Sequence, residues 1–334
     1  MKKIQVALLG LGTVGKGVYQ NLTVHRKRIE EKLGISIDIA VIVVKHPEKH
    51  QAFEANALIT SDFQTVLDNP SIDIVLEAIV GKEPAFTYLS QSIQAGKHVI
   101  TANKEMFAHH GKQLLALANA NKVEIGFEAT TAGGIPIIQT LNQLFQVNGI
   151  TKLTGILNGT SNYVLTEMRL RQLTFEQALH QAQQLGYAEA DPSNDIDGHD
   201  AFYKLMILSQ VMFNTQPEWS QVERTGISSV TLNQVVRHQA KQERIKLLAT
   251  VEMINGAPQA KVAPEVLTAD HPLYTIDGAY NGIFLEGDIV GTLTLSGLGA
   301  GAHPTASAML EDLAIILRHG EATKRPYLVS TTSR

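Results

Sequence analysis

The chain has 334 residues, 44% hydrophobic and 18% charged, with 26 glycines and 11 prolines, a composition that excludes disordered, collagen-like and low-complexity chains. Lysine and arginine number 28 against 32 aspartates and glutamates, a formal net charge of −4, without the basic stripe that nucleic acid needs or the cationic amphipathic helix that lies on a membrane. Cysteine is absent, which removes disulfides, thiolate catalysis and cysteine-bound zinc together. No apolar run approaches the ~18 residues of a membrane span, and Met1-Lys2-Lys3 leads straight into a strand pattern rather than a signal-peptide core. A cytoplasmic protein acting on a small molecule, with no nucleic-acid or membrane partner, is expected.

In chain order, short β-rich runs at Ile4 to Leu9, Ile37 to Val44, Ile74 to Ile79, His98 to Thr101 and Val123 to Phe127 alternate with helical periods such as Glu83 to Gln94 and Glu105 to Asn121. Near-continuous apolar strands with helical crossovers predict an α/β fold with a Rossmann-type doubly wound parallel sheet. After Gly133-Gly134-Ile135-Pro136 the pattern changes. A strand at Thr151 to Leu157 is followed by helical stretches to about Leu208. Strands at Ile245 to Asn255, Ala260 to Val266, Gly282 to Leu285 and Gly291 to Leu295 come next, punctuated by Asn255-Gly256, Asp277-Gly278 and Asn281-Gly282 turns. This predicts a second, mixed α+β domain. The expected division is a nucleotide-binding domain over residues 1–135, completed by a C-terminal helix at about 300–320, a second domain over 136–299, and a short tail at 321–334.

Gly10-Leu11-Gly12-Thr13-Val14-Gly15 follows the first strand and opens a helix running toward Glu31. The first glycine permits a tight turn, the second lets backbone approach a pyrophosphate, and the third allows close helix packing. The second strand ends in Lys45-His46-Pro47, where an NAD-specific protein usually presents an acidic residue to the ribose. A basic Lys45 suits a 2′-phosphate; the alternative is a solvated surface lysine. Thr101-Ala102-Asn103-Lys104 lies at the carboxyl end of a strand, where ligand crevices form. A cation in a first helical turn also opposes the helix dipole. Lys104 is therefore a ligand contact or an ordinary surface lysine.

Leu185 to Asp200 is dense in carboxylates. An EF-hand alignment on Gly198 fails, because Ser193 and Lys204 would then be the first and twelfth ligands. The loop enters an apolar helix whose one lysine, Lys204, lies four residues after Asp200 and shares its face. A partly desolvated lysine beside a carboxylate suits proton transfer, and the alternative is a structural ion pair. Asn158-Gly159-Thr160-Ser161 joins strand to helix: Thr160 or Ser161 would be an ordinary N-cap, and the same N–H groups could receive a substrate carboxylate. The histidines form no metal site, since His46-Pro47-Glu48-Lys49-His50 is interrupted by proline and the adjacent His109 and His110 face apart.

These motifs resemble homoserine dehydrogenase. The resemblance is carried by Gly10 to Gly15, Thr101 to Lys104, Glu128-Ala129-Thr130 with Gly133 to Pro136, Gly155 to Thr160, Leu185 to Pro192, Asp200 with Lys204, and Gly299-Ala300-Gly301-Ala302, in family order over about the first 320 residues. It implies reversible NAD(P)H-dependent reduction of L-aspartate 4-semialdehyde to L-homoserine in a homodimer built on the second, catalytic domain; with Lys45 read as a 2′-phosphate contact, NADP is preferred over NAD. By position it implies Lys204 and Lys104 as catalytic lysines, with Lys204 the proton donor and Asp200 its partner. Gly159, Thr160, Glu189, Asp195, Asp200 and Lys204 would surround the substrate. Gly10, Gly12, Thr13, Val14, Gly15, Lys45, Thr101, Lys104 and Gly301 would hold the nucleotide. Backbone carbonyls of Glu128, Thr131, Gly133 and Ile135 would bind sodium or potassium.

The sequence departs from the family pattern at Asn194, where an acidic residue is common, and at Thr130-Thr131, which bears on the side chains around the cation but not on its backbone ligands. With about 14 residues after the last helix, no C-terminal ACT domain is expected. The alternatives are another Rossmann amino-acid oxidoreductase, such as an aspartate dehydrogenase, and a non-enzymatic NAD(P) sensor. The lysine pair and the Asn158-Gly159-Thr160 loop favour the homoserine reading.

Overall fold

The computed structural model describes residues 2–319; the expected tail at 321–334 lies outside them. Chain order gives β1 (Lys2–Leu9), α1 (Thr13–Val24), α2 (Arg26–Leu33), β2 (Ile35–Val43), β3 (Leu58–Thr60), α3 (Gln64–Leu67), β4 (Ile72–Glu77), α4 (Ala85–Gln94), β5 (His98–Thr101), α5 (Lys104–Asn121) and β6 (Ile125–Gly126). Then follow α6 (Ile137–Leu144), β7 (Ile150–Ile156), α7 (Gly159–Arg171), α8 (Phe175–Gln184), α9 (Ser193–Ile196), α10 (His199–Phe213), β8 (Glu223–Arg224), α11 (Leu232–Gln239), β9 (Arg244–Ile254), β10 (Ala257–Leu267), β11 (Tyr280–Gly287), β12 (Gly291–Leu298) and α12 (Ala302–His319). The chain divides into two compact units: one runs through Gly134 and resumes at Gly301, and the other spans Ile135–Ala300.

The first unit holds a parallel sheet in the order β3-β2-β1-β4-β5-β6, the doubly wound arrangement with its switch point between β1 and β4. Its core explains the return of the chain. Ile4, Val6 and Leu8 of β1 and Val18 and Leu22 of α1 are buried in one cluster with Ala306, Met309, Leu313 and Ile316 of α12. A Cβ on Gly17 would stand 2.6 Å from the Ala302 carbonyl oxygen, so the two helices touch backbone to backbone.

The second unit is built on a mixed sheet ordered β12-β11-β7-β9-β10-β8, antiparallel except for the β10–β8 edge. Its β9–β10 hairpin turns at Asn255 and Gly256, with φ of 51° and 80°, as the Asn-Gly pair predicts.

Several boundaries differ from the sequence reading. The helix expected to run to Glu31 breaks at His25, whose backbone leaves the helical region. The strand expected at 123–127 contracts to Ile125–Gly126, because Phe127 turns the chain into a short 3-10 helix at Glu128–Thr130. Asn281-Gly282 is not a turn but lies inside β11, and the reversal falls after Gly287. The sequence pattern does not reveal the short elements β3, α3 and β8 or the helices α6 and α11.

Candidate active site

In the first unit the glycine motif joins β1 to α1. Gly10 has φ of 91°, donates its N–H to the Val43 carbonyl at 2.8 Å, and has no room for a Cβ, which would meet the Ala78 carbonyl oxygen at 2.7 Å. A Cβ on Gly15 would stand 2.1 Å from the Gly10 carbonyl oxygen. Gly12 is the N-cap of α1 without a side-chain cap, and a Cβ there would meet nothing within 4 Å. Thr13 and Val14 begin the helix. An uncapped helix N-terminus beneath open space is a cradle for a pyrophosphate, so these residues fit a dinucleotide. Lys45 is exposed two residues past β2. Gly301, with φ of 121°, stands just before α12.

Thr101 and Lys104 lie at the carboxyl end of β5 and the first position of α5, whose N-cap Asn103 accepts from the Met106 N–H at 3.0 Å. The hub of this turn is a residue that the sequence reading passed over. Glu77, the last residue of β4, is fully buried; it accepts from the Thr101 hydroxyl at 2.5 Å and from the Ile79 N–H at 2.6 Å. Burial pushes its carboxyl up to about 7, against the hydrogen bonds from Thr101, Ile79 and Asn103, which pull it down. The available signal was an acidic residue inside the apolar run from Ile74 to Ile79.

The proposed cation ligands Glu128, Thr131 and Gly133 share one irregular segment of the first unit, and Ile135 begins the second. Asp312 of α12 anchors this segment by accepting the Glu128 N–H at 2.9 Å. Thr131 has φ of −115° and ψ of −86°, and Gly133 has φ of 57°, so their carbonyls belong to no regular ladder. Two of the four carbonyls already accept hydrogen bonds: Glu128 from both the Thr131 N–H at 3.4 Å and the Thr131 hydroxyl at 3.3 Å, and Ile135 from the Ile137 N–H at 2.8 Å. Neutral carbonyl oxygens suit a hard monovalent cation; the Ile135 oxygen keeps a second lone pair for one, whereas the Glu128 oxygen, with both Thr131 donors on it, would have to give one up.

In the second unit, Asn158 caps α7 by accepting the Ser161 N–H at 2.8 Å, which corrects the expected Thr160 or Ser161 cap. The same Asn158 side chain donates to Asp195 at 2.7 Å and to Asp200 at 2.9 Å. Asp200 and Lys204 are buried on α10, with Lys204 Nζ 2.7 Å from the Asp200 carboxylate and donating to the Leu157 carbonyl at 2.7 Å. Ser161 Oγ donates to the Asp195 carbonyl, and Thr160 Oγ1 to the Tyr187 carbonyl at 2.6 Å. Gly159 permits close approach of the chain, since a Cβ there would stand 2.7 Å from the Ala279 carbonyl oxygen. Asn158, Ser161, Asp195, Asp200 and Lys204 thus share one network, while the Thr160 hydroxyl is tied to the Tyr187 carbonyl instead. Glu189 does not join it: it is exposed, and its backbone carbonyl accepts from Gln183. Such an anchored ammonium beside one carboxylate, with a second carboxylate tied to the first through Asn158, can hold a proton at a defined place and offer an acidic group to a second cation.

A family model for homoserine dehydrogenase matches residues 136–314, and one for the homoserine dehydrogenase NAD binding domain matches residues 10–128. The homoserine dehydrogenase of Bacillus subtilis is 36% identical over 320 residues, covering 96% of this chain and 74% of its own. A crystal structure of a homoserine dehydrogenase from Thiobacillus denitrificans superposes with a TM-score of 0.93 at 40% identity, covering 98% of this chain and 77% of that one. A hyperthermophilic archaeal homoserine dehydrogenase in complex with NADPH gives 0.78 at 25% identity, covering 98% of this chain and all of that one.

Proposed function

The chain belongs to the homoserine dehydrogenase family, and from that membership we propose that Lys204 is the proton donor of its reaction. The activity is the reversible NAD(P)H-dependent reduction of L-aspartate 4-semialdehyde to L-homoserine, an oxidoreduction of amino-acid biosynthesis. Membership displaces the two alternatives, an aspartate dehydrogenase and a nucleotide sensor.

The observation that carries the proposal is the anchored Lys204 ammonium, 2.7 Å from both the Asp200 carboxylate and the Leu157 carbonyl. Reduction of an aldehyde needs a hydride on carbon and a proton on oxygen. The nicotinamide supplies the first when bound. Lys204 delivers the second, and takes it back in the reverse direction. Asp200 holds the ammonium in place. Asp195, tied to Asp200 through Asn158, stands where the substrate ammonium finds a carboxylate. Thr160 and Gly159 bring the start of α7 to the substrate, and Glu189 would join Asp195 and Asp200 around its amino end. Lys104 is the second lysine of the reaction.

Gly10, Gly12, Thr13, Val14, Gly15, Thr101 and Gly301 would hold the nucleotide, and Lys45 would meet the 2′-phosphate that makes NADP preferred over NAD. The NADPH bound by the archaeal relative supports this choice. Glu128, Thr131, Gly133 and Ile135 would hold sodium or potassium through their carbonyls, fixing the backbone of that segment. The first unit is the nucleotide-binding domain, and the second is the catalytic and dimerisation domain of a cytoplasmic homodimer. Among the described residues no helix is long and apolar enough to cross a membrane. The test is NADPH oxidation with L-aspartate 4-semialdehyde by wild type and Lys204→Ala. Turnover in the variant equal to wild type overturns the assignment of Lys204.

A further inference from the structure

The antiparallel ladder between β7 and β11 ends with Ile156 opposite Gly282. Leu157 and Asn281 stand one step beyond, and there the Leu157 carbonyl takes its donors from side chains, Lys204 Nζ at 2.7 Å and Asn281 Nδ2 at 3.0 Å. Asn281 is fully buried, and its amide oxygen has no hydrogen-bond partner among the described residues. Leaving a buried amide oxygen unpaired is costly, so the side chain is retained for what its nitrogen does.

Gly299 shows how the amide is accommodated. A Cβ there would stand 2.0 Å from both Cγ and Nδ2 of Asn281 and 2.3 Å from its Oδ1. Gly299 is not among the glycines with positive φ, whereas Gly301 is. Position 299 therefore lacks a side chain for space, not for a left-handed backbone.

We propose that Asn281, seated in the space left by Gly299, is a positioning residue for Lys204. It fixes the Leu157 carbonyl that, together with Asp200, aims the ammonium. The inference rests on the reading of Lys204 as proton donor. A carbonyl oxygen has two lone pairs; with one taken by Asn281, the peptide plane is pinned and the ammonium meets the other from a single direction. Proton transfer is sensitive to such placement, and an error of about 1 Å costs on the order of 10²-fold in rate.

Steady-state kinetics on the 334-residue chain test this with Asn281→Ala, Gly299→Ala, Lys204→Ala and the pairwise combinations. Asn281→Ala and Gly299→Ala should each lower kcat about tenfold, with the KM for the nucleotide within about twofold of wild type. Their combination should be no worse than either alone, because the three atoms nearest a methyl at 299 all belong to the amide that Asn281→Ala removes. Adding Asn281→Ala to Lys204→Ala should cost no further activity. Additive losses at 281 and 299 would overturn the spatial link. A further loss in the Lys204→Ala background, or wild-type kcat in Asn281→Ala beside a defective Lys204→Ala, would overturn the positioning role while leaving the reading of Lys204 intact. Wild-type turnover in Lys204→Ala would remove that reading and this proposal together. Should the alanine variants melt too low to assay, Asn281→Asp keeps the shape and replaces the donor with an acceptor. It should lower kcat, and unchanged kcat with native melting would overturn the proposal.

Discussion

Asp200 and Lys204 stand four residues apart on α10, with their charged atoms 2.7 Å apart and side chains only 3% and 6% exposed. A buried pair of this kind serves proton chemistry only while both members remain, since each is the other's main compensation for lost hydration. Lys204→Ala is expected to lower kcat by on the order of 10²-fold or more and to leave nucleotide affinity nearly unchanged. Lys204→Arg should also be poor, because a guanidinium does not release its proton near neutral pH. Stopped-flow nucleotide binding beside steady-state turnover separates the two effects; equal losses in both would assign Lys204 to binding rather than to the proton.

Asp200→Ala strands the Lys204 ammonium in the interior and should destabilise the fold by about 3–5 kcal/mol. Adding Lys204→Ala removes the stranded charge, so the double variant should be more stable than Asp200→Ala alone. Denaturant unfolding of wild type, both singles and the double measures this coupling. Independent, additive losses would mean that the two side chains do not share a charge balance.

The Asp200–Lys204 pair was legible because it depends only on helical spacing, and the glycine motif because it depends on a strand, a turn and a helix in sequence. The family resemblance made the order of motifs legible as well. What stayed hidden depends on contacts between distant segments. Glu77 lies in an apolar strand, and nothing local reveals that Thr101, 24 residues on, donates to it. Asn281 reads as the start of an Asn-Gly turn, and only its pairing position opposite the end of β7 makes it a strand residue reaching Leu157. The cap of α7 lies two or three residues before the position the sequence suggests, because Asn158, Thr160 and Ser161 are all good cap residues and the chain path decides among them.

Lys45 follows β2 at the end of the sheet that carries the glycine motif. If it meets a 2′-phosphate, Lys45→Ala should raise the KM for NADPH more than that for NADH, by about 1–3 kcal/mol of differential binding. Equal effects on both nucleotides would show that another residue reads the phosphate.

Gly15 sits under the Gly10 carbonyl, where a Cβ would approach to 2.1 Å of backbone. No side-chain rotation relieves such a contact, so Gly15→Ala must move the turn or the helix. A loss of about 1–3 kcal/mol in stability is expected, together with weaker nucleotide binding. Gly12→Ala, with open space around its Cβ, should leave stability within about 0.5 kcal/mol of wild type while reducing nucleotide affinity. Thermal melting with and without nucleotide compares the two, and a Gly12→Ala variant as unstable as Gly15→Ala would contradict the geometry.

Glu77 supplies a stability signature that does not depend on turnover. Its carboxyl moves from its usual 4.5 up to about 7 because burial disfavours the charged form. Between those values the native state binds more protons at this site than the unfolded chain does. Stability contributed by Glu77 therefore falls as pH rises through that window and levels off above about 7. Glu77→Gln cannot titrate and should flatten this part of the profile. Its amide oxygen can still accept from Ile79 while its NH₂ faces the Thr101 hydroxyl, which can rotate to accept. Urea unfolding at about pH 5 and about pH 8 gives the comparison, with wild type losing more stability across the interval than the variant. A wild-type loss that persists undiminished in Glu77→Gln would place the titrating group elsewhere and leave Glu77 as a hydrogen-bond acceptor already ionised in that range.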